Sequence, residues 1–512
     1  MTRLRSLRID GHGAEKETRR PRIGSLLGIG LLLLSGCARG PAYQRPDLTT
    51  TVPATYHSLV APETPQMIPG PSSYWWSGFN DPLLDGLVEE AIQHNHDLEA
   101  ATARVLESRA LLFGSKSTRW PAIEVGGTAT RSKTSRSMFG GQGSFYSTQY
   151  SGVASTRYEI DLWGRLSRAE EAARASLLAS EFDHRTVWLT LIADVVRTWL
   201  EIREIECQLA LNEQTIENYT SNLQLVEDRY RHGLVPPLDV HLARQNLLSA
   251  QALNPQWRQQ LSSAKRRLEI LVGRYPAGEL ERNVTTTASR CSLPPELSPV
   301  PAGLPSELLE RRPDILAAEM RLRAANANIG AAKAALFPRI SLSGEAGFRA
   351  TALADLFQEN ASIWSLVGNL TAPLLNRGAQ VSQLHAAEAR TAQAVAAYRG
   401  TVLNAFREVE TALEAERLEA ERRQWLQSAV AEARRSLTLA EDRYRRGLDN
   451  LLLTLDTQRR LYQAEAQLIS TERSLRTARV NLILALAGSW ETPTAGEPFS
   501  EPTRETNPGA TP

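Results

Sequence analysis

Residues 337–348 read Phe337-Pro338-Arg339-Ile340-Ser341-Leu342-Ser343-Gly344-Glu345-Ala346-Gly347-Phe348. Proline lacks an N–H and clashes with the preceding turn, so the aromatic-proline pair ends the helix-like stretch Ser306 to Leu336 that runs into it. Beyond it Ile340, Leu342, Gly344, Ala346 and Phe348 alternate with Ser341, Ser343, Glu345 and Gly347, which predicts a strand with one apolar face. A return strand follows, with Leu366, Leu370, Ala372 and Leu374 against Ser365, Asn369 and Thr371. The same plan occurs earlier in the chain. A helix-like stretch from Leu83 to Arg119 meets Trp120-Pro121, a Ser/Gly-rich loop spans Ser132 to Ser147, and Tyr158, Ile160 and Leu162 alternate with Arg157, Glu159 and Asp161. The charged face suits a watery lumen while the apolar face meets lipid. A soluble hairpin half-buried on a core gives the same alternation, so the pattern alone leaves both open.

A shift of 217 lays Asp97, Ala100, Ala101, Arg104, Ala110, Lys116, Pro121, Ile123, Gly127 and Ala129 onto Asp314, Ala317, Ala318, Arg321, Ala327, Lys333, Pro338, Ile340, Gly344 and Ala346. A shift of 214 lays Glu227-Asp228-Arg229-Tyr230-Arg231 and Gly233-Leu234 onto Glu441-Asp442-Arg443-Tyr444-Arg445 and Gly447-Leu448. So long a period is not a solenoid unit; a whole module is duplicated. Pro294, Pro295, Pro299, Pro301 and Pro305 mark the seam as a linker. The chain therefore divides into an N-terminal signal (1–36), an extended segment (37–80), a first repeat (81–293), a second repeat (294–490) and a C-terminal tail without regular structure (491–512).

After the first hairpin a helix runs from Arg165 to Tyr230, about 66 residues and so about 100 Å, longer than any globular core. Trp188, Val195, Ile202, Leu209, Ile216, Leu223 and Tyr230 recur every seven positions and predict a coiled-coil seam. The second copy keeps Val402, Val409, Val430, Leu437 and Tyr444 but places Glu416 and Arg423 in the middle, so its packing there must differ. Glycines 233 and 447 permit a reversal at each tip, and a shorter helix returns toward Gly273 and Gly488.

With 58 Lys+Arg against 57 Asp+Glu the chain has no long-range electrostatic handle for nucleic acid. Three cysteines cannot build a disulfide framework, and neither Cys207 nor Cys291 has the spacing of a nucleophile or a zinc ligand. His94-x-His96-Asp97 points its side chains around a helix, so no metal site is expected. No Gly-rich phosphate loop appears, and an enzyme is not expected. Basic residues from Arg3 to Arg22 precede an apolar stretch from Ile23 to Leu34, too short to span a bilayer. Its end, Leu34-Ser35-Gly36-Cys37, resembles the lipobox of bacterial lipoproteins. That resemblance implies a covalent lipid on Cys37 as the first mature residue, and Ala38 after it implies the outer membrane. No other cofactor is expected.

No later segment offers 18 uninterrupted apolar residues, so any bilayer crossing falls to strands. Each copy supplies two, and about eight is the minimum for a membrane barrel, so chains must share a wall. Long hairpins on such a ring close into a helical cylinder. At this point the residues resemble the TolC-like outer-membrane factors of bacterial tripartite efflux systems, especially the lipoprotein subgroup, from Cys37 through Trp490. The motifs are Trp75-Trp76-x-x-Phe79-x-Asp81-Pro82-x-Leu84 with Asn95-x-Asp97-Leu98, and Leu304-Pro305-Ser306-x-Leu308-Leu309-x-x-Arg312-Pro313-Asp314. Tyr158-Glu159-Ile160-Asp161-Leu162-Trp163-Gly164 and Leu455-Asp456-x-Gln458 complete them. The resemblance implies a mainly α fold with a small transmembrane β portion. It implies a homotrimer with a 12-stranded barrel and a periplasmic α-helical barrel, a periplasmic adaptor and an inner-membrane pump of the resistance-nodulation-division type.

The same resemblance places a periplasmic gate at Leu452 and Asp456, one helical turn apart, so that three Asp456 carboxylates form an acidic ring beside a dry constriction. Asp239, in the matching turn of the first copy, is a candidate for holding the hairpins together through Arg or Tyr. Some members carry Arg where this chain has Asp449. Arg229, Tyr230, Gly233, Leu234, Arg443, Tyr444, Gly447 and Leu448 are candidates for adaptor contact. The implied function is an exit duct for drugs or other small molecules. A type I protein-secretion duct and a non-conducting periplasmic coiled coil are the competing readings.

Overall fold

The computed structural model describes residues 40–47, 52–53, 55–58, 74–135, 143–279, 291–300, 303, 305–375 and 377–487. The signal segment, Cys37 and the C-terminal tail lie outside them. The elements in chain order are α1 (Pro82–His94), α2 (His96–Ser117), β1 (Ala122–Ser135), β2 (Ser144–Ile160), α3 (Arg165–Arg231), α4 (Pro237–Leu271), α5 (Pro305–Arg311), α6 (Pro313–Ala334), β3 (Arg339–Ala350), β4 (Ser362–Thr371), α7 (Arg377–Arg445) and α8 (Leu451–Ala485). Among the described residues no helix is long and apolar enough to cross a membrane. The chain separates into two units, one built on residues 118–169 and 327–385, the other on 43–117, 170–326 and 386 onward.

In the first unit the four strands form one antiparallel sheet in the order β1-β2-β3-β4. Its register sets Val125, Ala154, Ala346 and Trp364 in one row, and Ile160, Ile340 and Leu370 in another. Directly opposed residues share a face, and on this face Ile123, Val125, Trp364, Leu366 and Leu370 are exposed. The other face carries the row Glu124, Ser155, Glu345 and Ser365. The expected loop at Ser132 to Ser147 is shorter than its composition suggested. Lys133 pairs with Tyr146 and Thr134 with Phe145, because β-branched and aromatic residues extend the ladder. Ala372 and Leu374, read as strand, lie past the end of β4.

Asp161 is a correction to its expected place on a lumen-facing strand. It follows β2, and its carboxylate accepts from the N–H groups of Leu166 (2.9 Å) and Ser167 (2.8 Å), satisfying donors that the first turn of α3 leaves open. Burial alone would raise its pKa. The Ser167 hydroxyl, those two N–H groups and Arg165 more than offset it and hold the carboxyl below its usual value. Glu159 likewise pairs with Arg165 (2.7 Å). Trp163 stacks on Phe337 at 4.9 Å and donates to the Pro338 carbonyl at 2.7 Å, so the aromatic-proline pair that stops α6 is also a docking point.

The second unit is helical. Each helix-like stretch before the strands is in fact two helices, broken at Asn95 in the first copy and at Arg312 in the second. Asn95 Nδ2 donates to the carbonyl of Leu271, the last residue of α4 (2.9 Å). Arg312 Nη1 donates to the carbonyl of Ala485, the last residue of α8 (3.0 Å). The breaks are thus equivalent joints, each capping the returning helix of its own copy. Trp75, Trp76 and Phe79 pack with Leu84, Val195, Trp199 and Leu268 in one core. Asp81 caps α1 through the Leu83 N–H (3.1 Å) and accepts from Trp199 Nε1 (2.8 Å).

The α3 seam does not follow the seven-residue line to its end. Val195 and Ile202 are buried, but nearer the tip burial is kept by Ile205, Asn212, Tyr219 and Val226, and Tyr230 is exposed. The row buried along the helix is Leu191, Thr198, Ile205, Asn212, Tyr219 and Val226, itself a seven-residue repeat, with Val195 and Ile202 beside it only in the part farther from the tip. In α7 the two charged positions are paired: Glu416 with Arg479, and Arg423 with Glu296. Gly273 has φ +76° as expected of a helix stop, and its counterpart at the matching position is Ala487 at φ +73°; Gly488 lies outside the described residues.

The cysteine count left one pairing open. Cys207 in α3 and Cys291 in the linker form a disulfide, with Cα atoms 5.1 Å apart and a sequence separation of 84. No local spacing signals a bond between a helix and a distant linker.

Residues 57–58 are held by Glu410 of α7, whose carboxylate accepts from the His57 N–H (2.8 Å) and the Ser58 N–H (2.9 Å). Burial would raise the Glu410 pKa, but these hydrogen bonds lower it overall. A lowered folded pKa adds stability that is present above the unfolded value and is lost as pH falls through the folded one. Hydrogen-exchange protection of His57 and Ser58 is therefore expected at neutral pH and lost in acid below the usual carboxylate range. Glu410→Gln should weaken that protection at neutral pH; protection unchanged by either treatment counts against the assignment.

Candidate functional site

Both long helices end in the same way. Gly233 and Gly447 take φ of +72° and +73°, and nothing lies within 4 Å of a Cβ built on either. Backbone conformation, not space, selects glycine here. Leu234 N–H reaches the Arg229 carbonyl (2.9 Å), and Leu448 N–H reaches that of Arg443 (2.9 Å). Return helices start from Pro236-Pro237 in the first tip and from Asn450 in the second, whose side chain accepts from the Leu453 N–H at 3.1 Å.

The two arginines of the shared motif do different work. Arg229 reaches from the first hairpin to the second. It donates to the carbonyls of Tyr444 (3.1 Å) and Arg445 (2.8 Å), and its guanidinium lies 4.5 Å from the Tyr444 ring centre. A cation on the open carbonyls at the end of α7 is favoured by the helix dipole and by the ring face. Arg443, its counterpart, pairs with Asp449 in its own turn, and the first copy has Val235 at the position matching Asp449. The Arg443 hydrogen bond holds the Asp449 carboxyl below its usual value. Beneath these groups Val226, Val240, Ala243, Tyr444, Leu451 and Leu455 form a small core joining the hairpins. Gln458 adds a polar tie, donating to Glu441 (3.3 Å) and accepting from Asn222 (3.3 Å).

Among the tip residues, Tyr444 is 4% exposed and Arg443 is engaged, whereas Leu234 and Leu448 are 73% and 62% exposed. Tyr230 is exposed as well. Leu234, Leu448 and Tyr230 are thus open to a partner, while Tyr444 is core and Arg229 is its tether. Burial pushes the Tyr444 phenol up. Asp239 makes no ion pair among the described residues; its charge acts on the Tyr444 phenol of the second hairpin, and burial raises its own pKa. Arg229 supplies direct hydrogen bonds between the hairpins here.

On α8, Leu452 is 62% exposed and Asp456 lies one turn along the same face. The Asp456 carboxylate is not free. Arg459 Nη2 takes one oxygen and Arg460 Nε the other, each at 2.6 Å, and these bonds hold its pKa below the usual value. One carboxylate between two guanidiniums is a net cation, so the expectation of a simply acidic ring is corrected at the level of the single chain. Positions i+3 and i+4 of one helix carried that signal in the sequence. His94 and His96, close together in sequence, contact the Glu90 carbonyl and Glu99 respectively.

The sequence model of the outer membrane efflux protein family matches residues 87–274 and 304–488. The pyoverdine export outer membrane protein OpmQ of Pseudomonas putida is 36% identical over 480 residues, covering 92% of this chain and 98% of its own. The outer membrane protein OprJ of Pseudomonas aeruginosa is 33% identical over 474 residues, covering 92% and 97%. Among solved structures the outer-membrane channel OprN superposes with a TM-score of 0.81 at 31% identity, over 89% of this chain and 100% of that one.

Proposed function

The chain belongs to the outer membrane efflux protein family, and from that premise we propose that it is the exit duct of a tripartite efflux pump, conducting drugs or other small molecules passively. It is an outer-membrane channel protein of an efflux pump. The observation that carries the finer reading is the sheet. Its edge strands β1 and β4 each pair on one side only among the described residues, and one face is an exposed apolar band. In hydrocarbon an open edge costs several kcal/mol per unpaired group, which favours closure with further copies of the chain. On this reading three chains complete a 12-stranded barrel, a lipid on Cys37 adds an anchor, and no catalysis is involved. The exposed Leu234, Leu448 and Tyr230 suit contact with a periplasmic adaptor, which in turn meets an inner-membrane pump of the resistance-nodulation-division type.

Leu452 and Asp456 are the proposed gate. Asp456→Ala leaves Arg459 and Arg460 without their carboxylate, so three clusters of unpaired cations would repel around the axis. In planar bilayers the purified wild type is expected to conduct. Asp456→Ala should raise conductance several-fold and move the reversal potential in a KCl gradient toward anion selectivity. Arg459→Ala with Arg460→Ala should move it toward cations. Unchanged conductance and selectivity in both variants would retire the gate; a wild type that passes no ions would retire the duct.

A further inference from the structure

The linker between the copies is a strap with six separate fastenings. Residues 291–300 form neither helix nor strand. Proline has no N–H, so a proline-rich strap presents mainly carbonyls, and arginines supply the donors. Arg203 of α3 donates to the Ser292 carbonyl (3.3 Å), the buried Arg476 of α8 to that of Pro294 (2.6 Å), and Arg479 of α8 to that of Leu297 (2.9 Å). Glu296 pairs with Arg423 of α7, and Leu297 is buried in the core that holds Trp75 and Trp76. The sixth fastening is covalent, from Cys291 to Cys207. It falls where α3 is already joined to α8, through Gln208 Nε2 to the Ala466 carbonyl (2.9 Å), Ser470 to Glu204 (2.6 Å) and Arg473 to Glu204 (2.7 Å).

We propose that Cys207 and Cys291 are an enzymatic oxidation site, acted on by a thiol–disulfide oxidoreductase outside the cytoplasm, and that the crosslink clamps the strap across α3, α7 and α8. The two cysteines differ in access: Cys291 is exposed and Cys207 is buried. The Cys291 thiolate attacks the disulfide of the oxidoreductase and forms a mixed disulfide, expelling one enzyme thiolate. The Cys207 thiolate then attacks Cys291 Sγ and expels the second. Two thiols of this chain lose two protons and two electrons, and the enzyme leaves as its dithiol. Disulfides persist in such compartments, and an outer-membrane protein passes through one.

The test is alkylation of free thiols by a maleimide polymer on the full chain, with whole cells quenched in acid and their protein denatured before the reagent is added. The double variant Cys207→Ser with Cys291→Ser sets the baseline and absorbs any signal from Cys37. The wild type should label at that baseline without reductant, and each single variant should gain one label. Two further labels on the wild type overturn the crosslink. In cells lacking the periplasmic dithiol oxidase the wild type should gain two labels; a crosslink that still forms there overturns the enzymatic step. Reduction of the purified protein should speed cleavage after Glu296 by a glutamyl endopeptidase at least tenfold. Unchanged cleavage means that the hydrogen bonds alone hold the strap and overturns the clamp.

Discussion

Gly273→Ala is expected to destabilise the helical unit by about 3 kcal/mol or more, seen as a lower denaturation midpoint and a poor yield of assembled protein. Two costs add. An L-residue at φ +76° carries about 1–2 kcal/mol of backbone strain. A Cβ there would also lie 2.3 Å from the carbonyl oxygen of His94, which is backbone and cannot rotate away. The joint is otherwise fixed by Asn95 on Leu271 and by Arg274 on Glu90, so the clash has little room to relax. The second copy supplies the control. Ala487 already sits at φ +73° and is 1% exposed. Changing it to glycine relieves the strain but loses a buried methyl worth about 0.8 kcal/mol and adds chain entropy. Ala487→Gly should therefore stay within about 1 kcal/mol of wild type. If Gly273→Ala proves equally mild, the contact with His94 is not rigid and the joint is looser than its hydrogen bonds imply.

Arg312→Ala is expected to cost about 2–3 kcal/mol. The guanidinium is buried, bonded to Asp314 (2.7 Å), Glu408 (2.8 Å) and the Ala485 carbonyl (3.0 Å). Burial works against its charge, and its hydrogen bonds and attraction to the two carboxylates more than restore it. Removing one member of a buried pair commonly costs about 3–5 kcal/mol because the others lose their partner. Here Asp314 and Glu408 are partly solvated, which lowers the figure. Arg312→Lys should recover less than half, since a point charge cannot serve three acceptors in a fork geometry. Guanidinium unfolding followed by tryptophan fluorescence reads both; a loss under about 1 kcal/mol for the alanine variant would mean that the cap on α8 is dispensable.

Much of this fold could be read in the sequence because its signals are local and long. Period-two alternation from Ile340 to Phe348, the proline that stops α6 and the glycines of the two tips each act on their own neighbours. What escaped reading were partners brought together by folding. Asn95 and Arg312 looked like ordinary motif residues, and only the structure shows each closing the far end of its own repeat. Cys207 and Cys291 carry no mutual spacing. The tips are the sharpest case: Arg229 and Arg443 sit in one shared motif, and identical sequence implied identical work. The candidate gate was half legible. The i, i+4 relation of Leu452 and Asp456 placed them on one face, but the same rule applied to Arg459 and Arg460 would have shown the carboxylate already claimed.

The difference between Val235 and Asp449 has a consequence for how the duplicated modules became unlike. With valine where its sister has an acid, the first arginine is left to grasp the other module, while the second is kept at home. A single side chain thereby turns a symmetric doublet into a giver and a receiver. An acid placed at position 235 would draw the giver's hand back, and the two fingers would be left to the apolar palm beneath them.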